Sequence, residues 1–255
     1  GRMLFDLAKQ TLELNSRVLQ QFTAPENFAG VVKMGVTELI ALTWLAPLIK
    51  QVGRAFPKLK LMPEIDGGMT LYQQLEQGLL DLAIMPGPFW SYEYDCVPLG
   101  SIVNEWMVSP SSELASKGSL TPQDFADYPV ISQPTNSALS HLYDSWFSEQ
   151  GVRVQRVLTC NSLIVVARLT MLGVGVSYLP TAVSAPMIER GEIVPLKVVP
   201  PLPRVHYYAV FKKNVTNPLT AKVIETAQAV CDFDADVTHS LPWTSERSEA
   251  DSAQD

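Results

Sequence analysis

Serine, threonine and asparagine recur directly after candidate strands and directly before candidate helices, where unpaired backbone N–H groups and the helix dipole favour a negatively charged ligand. Thr37 follows an apolar run at 31–36 and precedes a helical pattern. Ser132 and Gln133 end another run, Thr135, Asn136 and Ser137 lead into the helix after it, and Cys160, Asn161 and Ser162 repeat the arrangement one element later. Hydroxyls and amides in these places suit recognition of a small anion. They also serve as plain helix N-caps, and capping and binding can coexist. Glu38 stands out beside Thr37, because a carboxylate at the mouth of an anion site repels the ligand unless it turns outward.

Other chemistry finds little to work with. His141, His206 and His239 have no ligand-like spacing, so no metal site is expected. Cys96, Cys160 and Cys231 are widely separated, which predicts reduced thiols and neither a disulfide framework nor a zinc knuckle. Ser177 lacks the strand-to-helix elbow of a hydrolase nucleophile. Gly173-Val174-Gly175 follows a helix and enters a strand, the reverse of a dinucleotide fingerprint, so no cofactor is expected. An enzyme would have to draw on Glu38, Glu105 or Cys160, and no catalytic constellation gathers around them; the chain is not expected to be an enzyme.

The elements that must hold these residues alternate. The pattern predicts strand 31–36, helix 39–56, strand 59–65, helix 69–77 and strand 80–85, with Pro57 as a stop and Gly78 at a C-cap. Pro47 falls inside the first of these helices, whose regular part is expected to start only a turn before it. A second set follows Pro98: an apolar stretch 102–108 broken by Asn104-Glu105, strand 129–132, helix 137–150 ending at Gly151, strand 154–159, helix 162–172 and strand 174–179. Helix 181–190, strands 193–198 and 205–211 and helix 218–231 complete the chain. Such βαβ alternation implies mainly parallel sheets flanked by helices, with a ligand outside the carboxyl ends of the strands. Gly68 and Met69 after the second strand, and Met85, Pro86 and Gly87 after the third, belong to that set. Phe89 and Trp90 could form an aromatic wall or plug the core.

The 255 residues are 47% apolar and 18% charged, enough for a full globular core in one or two domains. No apolar stretch is long enough to cross a bilayer, so no membrane partner is expected. The net charge is −7, of which residues 232–255 carry seven acids against Arg247. The remainder is near neutral and lacks the basic stripe that nucleic-acid binding requires. The polar, acidic stretch 234–255 reads as a disordered tail, and residues 2–22 as a helix with two apolar rows. The N-terminus has no secretory pattern, which predicts a cytoplasmic protein.

The segment Leu172-Gly173-Val174-Gly175-Val176-Ser177-Tyr178-Leu179-Pro180 resembles a signature of the effector-sensing domain of bacterial LysR-type transcriptional regulators. Gly35-Val36-Thr37 through Trp44-Leu45-Ala46-Pro47, Phe56-Pro57, and Leu75 through Gly78 followed by Leu80-Asp81-Leu82-Ala83-Ile84 match the same family in order and spacing. The resemblance covers about residues 28–232. It implies an α/β, two-lobed fold like that of type 2 periplasmic binding proteins, with 28–101 and 206–233 as lobe I and 102–205 as lobe II. Residues 1–27 resemble the linker helix, and the winged helix-turn-helix is absent, so DNA would be met only through that missing N-terminal domain.

The resemblance also implies a small effector lodged between the lobes, transcription regulation as the outcome, and pairing into a homodimer or tetramer. Thr37 matches a usual ligand contact, with Glu38, Leu39 and Ile40 around it; Met85, Pro86 and Gly87 match a pocket-lining position; Val103 with Asn104, and Asn161, match further contacts. Family members often carry an arginine near 140, where this chain has Ser140, so carboxylate recognition would rest on neutral donors. The expected effector is a small organic acid, an aromatic carboxylate favoured because five tryptophans and a proline-lined loop leave apolar area for a ring. A transporter's solute-binding protein and an enzyme on the same fold are the alternatives.

Overall fold

The computed structural model describes residues 7–14, 28–87, 92–134, 137–213 and 218–233. Most of the first predicted helix, Phe89, Trp90, Thr135, Asn136 and the acidic stretch 234–255 lie outside these. Residues 7–14 are helical (α1), with Leu7, Leu12 and Leu14 exposed. The described chain divides into two compact units. Unit 1 takes the residues up to Thr37, Leu45–Gly100 and His206–Cys231; unit 2 takes Glu38–Trp44, Ser101–Val205 and Asp232 onward.

Unit 1 is built on strands β1 (Gly30–Val36), β2 (Leu59–Ile65), β3 (Leu82–Gly87), β4 (Tyr94–Ile102) and β11 (Val205–Lys212), in the sheet order β2-β1-β3-β11-β4. β1 pairs in parallel with β2 and β3, whereas β11 runs antiparallel to β3. Helices cover both faces, as strand parity shows. A Cβ on Gly30 would lie 2.6 Å from Leu219 on α8 (Pro218–Val230), and one on Gly35, of opposite parity, 2.7 Å from Leu71 on α4 (Gly68–Glu76). Leu71, Leu75, Leu80, Ala83, Met85, Tyr94 and Val210 form the core beneath α4.

Unit 2 has a six-stranded sheet in the order β6-β10-β5-β9-β7-β8, with β5 (Asn104–Val108), β6 (Ser119–Leu120), β7 (Pro129–Ser132), β8 (Gln155–Thr159), β9 (Val176–Pro180) and β10 (Val194–Val198). β7 is parallel to β8 and β9, β10 is parallel to β6, and β5 is antiparallel to β9 and β10. Its helices include α5 (Ala138–Glu149), α6 (Leu163–Met171) and α7 (Thr181–Glu189). The core is aromatic: Trp106 stacks on Phe125 at 4.6 Å and meets Phe147 and Tyr178 edge-on. Among the described residues no helix is long and apolar enough to cross a membrane.

The predicted helix 39–56 is interrupted at Thr43-Trp44, giving α2 (Glu38–Leu42) and α3 (Leu45–Ala55). Pro47 explains the break: it lacks the N–H that would bond Thr43 one turn back, and it is tolerated only in a first turn, where α3 places it. Strand β4 was not expected. Its Asp95, Pro98 and Gly100 disguise it, and it tolerates the proline because it is the edge of its sheet. The apolar stretch 102–108 is broken at Val103, one residue before the predicted interruption.

Candidate functional site

In unit 1 three strand ends lie side by side. The Thr37 amide donates to the Ile84 carbonyl (3.3 Å) and the Asp66 amide to the Val36 carbonyl (3.2 Å), which brings Thr37, the turn Asp66-Gly67-Gly68 and the segment Met85–Gly87 to one edge of the sheet. There α4 begins with Gly67 as its N-cap, in extended conformation and without a side-chain capping bond. The Gly67 amide is taken by Asp66 Oδ1 (2.6 Å), leaving the amides of Gly68, Met69 and Thr70 as the first-turn donors that no intrahelical carbonyl can satisfy. A Cβ on Gly68 would rest 3.8 Å from Met85 and Pro86, ordinary contact, so the glycine is not required by packing. Buried Tyr207 lies beside Thr37; burial pushes its phenol above the usual range, and the Thr37 hydroxyl partly opposes that shift.

Leu39 and Ile40 are 2% and 0% exposed, so their side chains are core and only their backbone is free for a ligand. Met85 is likewise fully buried, whereas Met69 is exposed. Trp44, Trp106 and Trp146 are buried too, which removes three of the five tryptophans from the expected apolar wall.

In unit 2 the loop Cys160-Asn161-Ser162 joins β8 to α6, and its start is held by the Cys160 amide donating to the Ser132 carbonyl (2.9 Å) at the end of β7. Ser162 N-caps α6, its Oγ accepting from the Val165 amide (3.4 Å). The same hydroxyl donates to Glu38 Oε1 (2.9 Å), and the Leu163 amide donates to Glu38 Oε2 (2.5 Å). Ser137 caps α5 through the Ser140 amide (2.9 Å). Asn161 is exposed, and the Val103 carbonyl accepts from the Thr181 amide (3.4 Å).

Behind these strand ends lies a polar cluster that sequence reasoning missed. The side-chain amide of Asn104 donates to the Tyr143 hydroxyl, Tyr143 packs on Tyr178 with ring centroids 4.1 Å apart, and the Tyr178 hydroxyl accepts from the Gln133 amide (3.4 Å). Burial raises the Tyr178 phenol, while the Gln133 amide and Arg156 pull the other way. The buried hydroxyls of Ser132 and Ser140 and the Asn104 carbonyl oxygen have no hydrogen-bond partner. Tyr178 was legible only as part of a glycine motif, and nothing local to Tyr143 distinguished it from a core aromatic.

In each unit the strand ends offer hydroxyls and helix-terminal amides, groups suited to a small polar or anionic molecule. Ser177 shares a buried hydrogen bond with Thr170 (2.7 Å) and is not presented to a substrate. Among the described residues no group of three or more histidine, cysteine, aspartate or glutamate side chains is placed to hold a metal ion.

Residues 25–232 match the family model of the LysR substrate binding domain. The HTH-type transcriptional activator AmpR of Rhodobacter capsulatus is 28% identical over 195 residues, 76% of this chain and 64% of that protein, so the chain spans under two thirds of its length. The effector binding domain of QuiR in complex with shikimate superposes with a TM-score of 0.71 at 19% identity, covering 79% of this chain and 97% of that one. The regulatory domain of CcmR from Synechocystis PCC6803, in complex with 2-PG, gives the same TM-score and coverage at 15% identity. At these identities the structures establish the fold alone, the type 2 periplasmic-binding-protein-like fold.

Proposed function

The chain belongs to the LysR substrate binding domain family, and from that premise we propose that it is the ligand-sensing part of a bacterial LysR-type transcriptional regulator, working in the cytoplasm, whose effector is a small organic acid. The observation that carries this reading is the start of α4: a helix N-terminus with no side-chain cap, on the same sheet end as Thr37 and bordered by Met85 and Pro86. Aligned amides at such a terminus favour a carboxylate. QuiR and CcmR, whose structures hold shikimate and 2-PG, support an organic acid as the ligand class.

A ring-bearing acid is the favoured subclass on the apolar surface of Met69 beside that terminus. In the whole regulator the effector acts by binding one arrangement better than another, since equal affinity for both shifts nothing. Gly68 and Gly87 stay with Thr37 as proposed effector contacts in unit 1, and Ser132, Gln133, Cys160, Asn161 and Ser162 as proposed contacts in unit 2; Thr135 and Asn136 remain proposed from the sequence reading. Val103, half-buried, also stays a proposed contact, whereas Leu39 and Ile40 offer only their backbone. The chain pairs with a second copy of itself, using the exposed Leu7, Leu12 and Leu14 of α1.

A thermal-shift screen against aromatic, alicyclic and aliphatic carboxylates at fixed pH and ionic strength tests the reading. At a hundred times its dissociation constant a bound acid adds about 2.7 kcal/mol of stability, a readily visible rise. The expected result is a saturable rise for at least one acid, with affinity lowered about tenfold in Thr37→Val through loss of one hydrogen bond to a charged group. No rise with any carboxylate overturns the organic-acid reading.

A further inference from the structure

The N-terminus of α6 already holds a carboxylate. Glu38 engages both the N-cap hydroxyl of Ser162 and the first helical amide, that of Leu163, with one oxygen each. This is the bidentate arrangement that a bound anion adopts at a helix start, where charge-assisted bonds and the dipole act together. The partner comes from far away in sequence, 124 and 125 residues from its two donors. The segment Glu38–Trp44 that carries it groups with unit 2, although unit 1 flanks it in the chain on both sides. The Pro47 break that ends α2 after five residues is what frees this segment from continuing into α3.

At this loop the Cys160 amide is held by the Ser132 carbonyl, Cys160 Sγ by the Ser162 carbonyl (3.8 Å), and the Val165 amide by Ser162 Oγ. The two donors given to Glu38 are ones an external anion at this terminus would use.

We propose that Glu38 is a resident anion that fills the α6 N-terminus and so excludes the acidic group of a ligand from that terminus.

Chemical rescue tests the proposal, with sodium acetate as the probe and sodium chloride holding the ionic strength constant. In Glu38→Ala the vacated donors should bind acetate, seen as a saturable rise in Tm that recovers most of the stability the substitution removes. The rise in Glu38→Ala should exceed any rise in the wild-type protein, and Glu38→Ala with Ser162→Ala should lose that excess. Should Glu38→Ala fail to fold, Glu38→Gln retains an acceptor without the charge: the Leu163 amide proton should resonate markedly upfield of its wild-type position. Equal acetate binding by wild type and Glu38→Ala, no response in Glu38→Ala, or an unmoved Leu163 amide in Glu38→Gln each overturns the proposal. None of these arms uses an effector, so a failed carboxylate screen and a failed rescue are separate results.

Discussion

Tyr207 shows how one residue ties the core of unit 1 to its strand ends. Its phenol is buried and held above its ordinary pKa, with Thr37 beside it, so the folded protein keeps it neutral where the unfolded chain ionises it. The unfolded state then releases a proton that the folded state retains, and stability falls as pH rises past the unfolded value of about 10. Tyr178 acts in the same direction in unit 2. Denaturant melts at pH 8 and at pH 10.5 check this: Tyr207→Phe should lessen the alkaline loss, and an identical loss in both proteins would refute the assignment. At this scale the caps Ser137 and Ser162 were legible from sequence, because a capping residue announces itself by standing between a strand and a helix. What Glu38 does was not, since its partners are more than a hundred residues distant; nor was the Asn104–Tyr143–Tyr178 cluster, whose members look like ordinary strand and helix residues until the sheet is assembled.

Between elements, the glycine pair that separates α6 from β9 has two different physical reasons. Gly173 has φ +74° and ends α6 with its amide on the Thr170 carbonyl and the Val174 amide on the Leu169 carbonyl, a Schellman closure. Gly175 is confined instead: a Cβ there would stand 2.4 Å from the Pro129 carbonyl oxygen at the head of β7. Gly173→Ala should therefore cost roughly 1–2 kcal/mol from the left-handed backbone, and Gly175→Ala about 1–3 kcal/mol with a shift of β9 against β7. Urea denaturation measures both, and a neutral Gly175→Ala would refute that packing. The motif could be read from the sequence; its two causes could not, because one depends on a neighbouring strand. The same limit hid β4, whose proline and glycine are permitted only by its edge position, and divided the helix predicted over 39–56 at a turn that Pro47 imposes.

For the whole molecule, the alternation of strands and helices carried the α/β fold class, because parallel strands demand a crossover helix and that order is written directly in hydrophobic periodicity. Assignment of Glu38–Trp44 to unit 2 was beyond such reading, since periodicity says which segments are elements and not which body they join. The exposed leucines of α1 set an assembly prediction: the protein should sediment as a dimer, and Leu7→Ser with Leu14→Ser should shift it toward monomer, whereas an unchanged dimer would locate the interface elsewhere. The most direct measurement is the crystal structure of this protein with the strongest-binding acid from the carboxylate screen. The ligand's carboxylate is expected within hydrogen-bond distance of the Gly68 or Met69 amide and of the Thr37 hydroxyl, with Glu38 still on the Leu163 amide. A carboxylate seated on Leu163 with Glu38 displaced, or an acid bound away from Thr37, would contradict it.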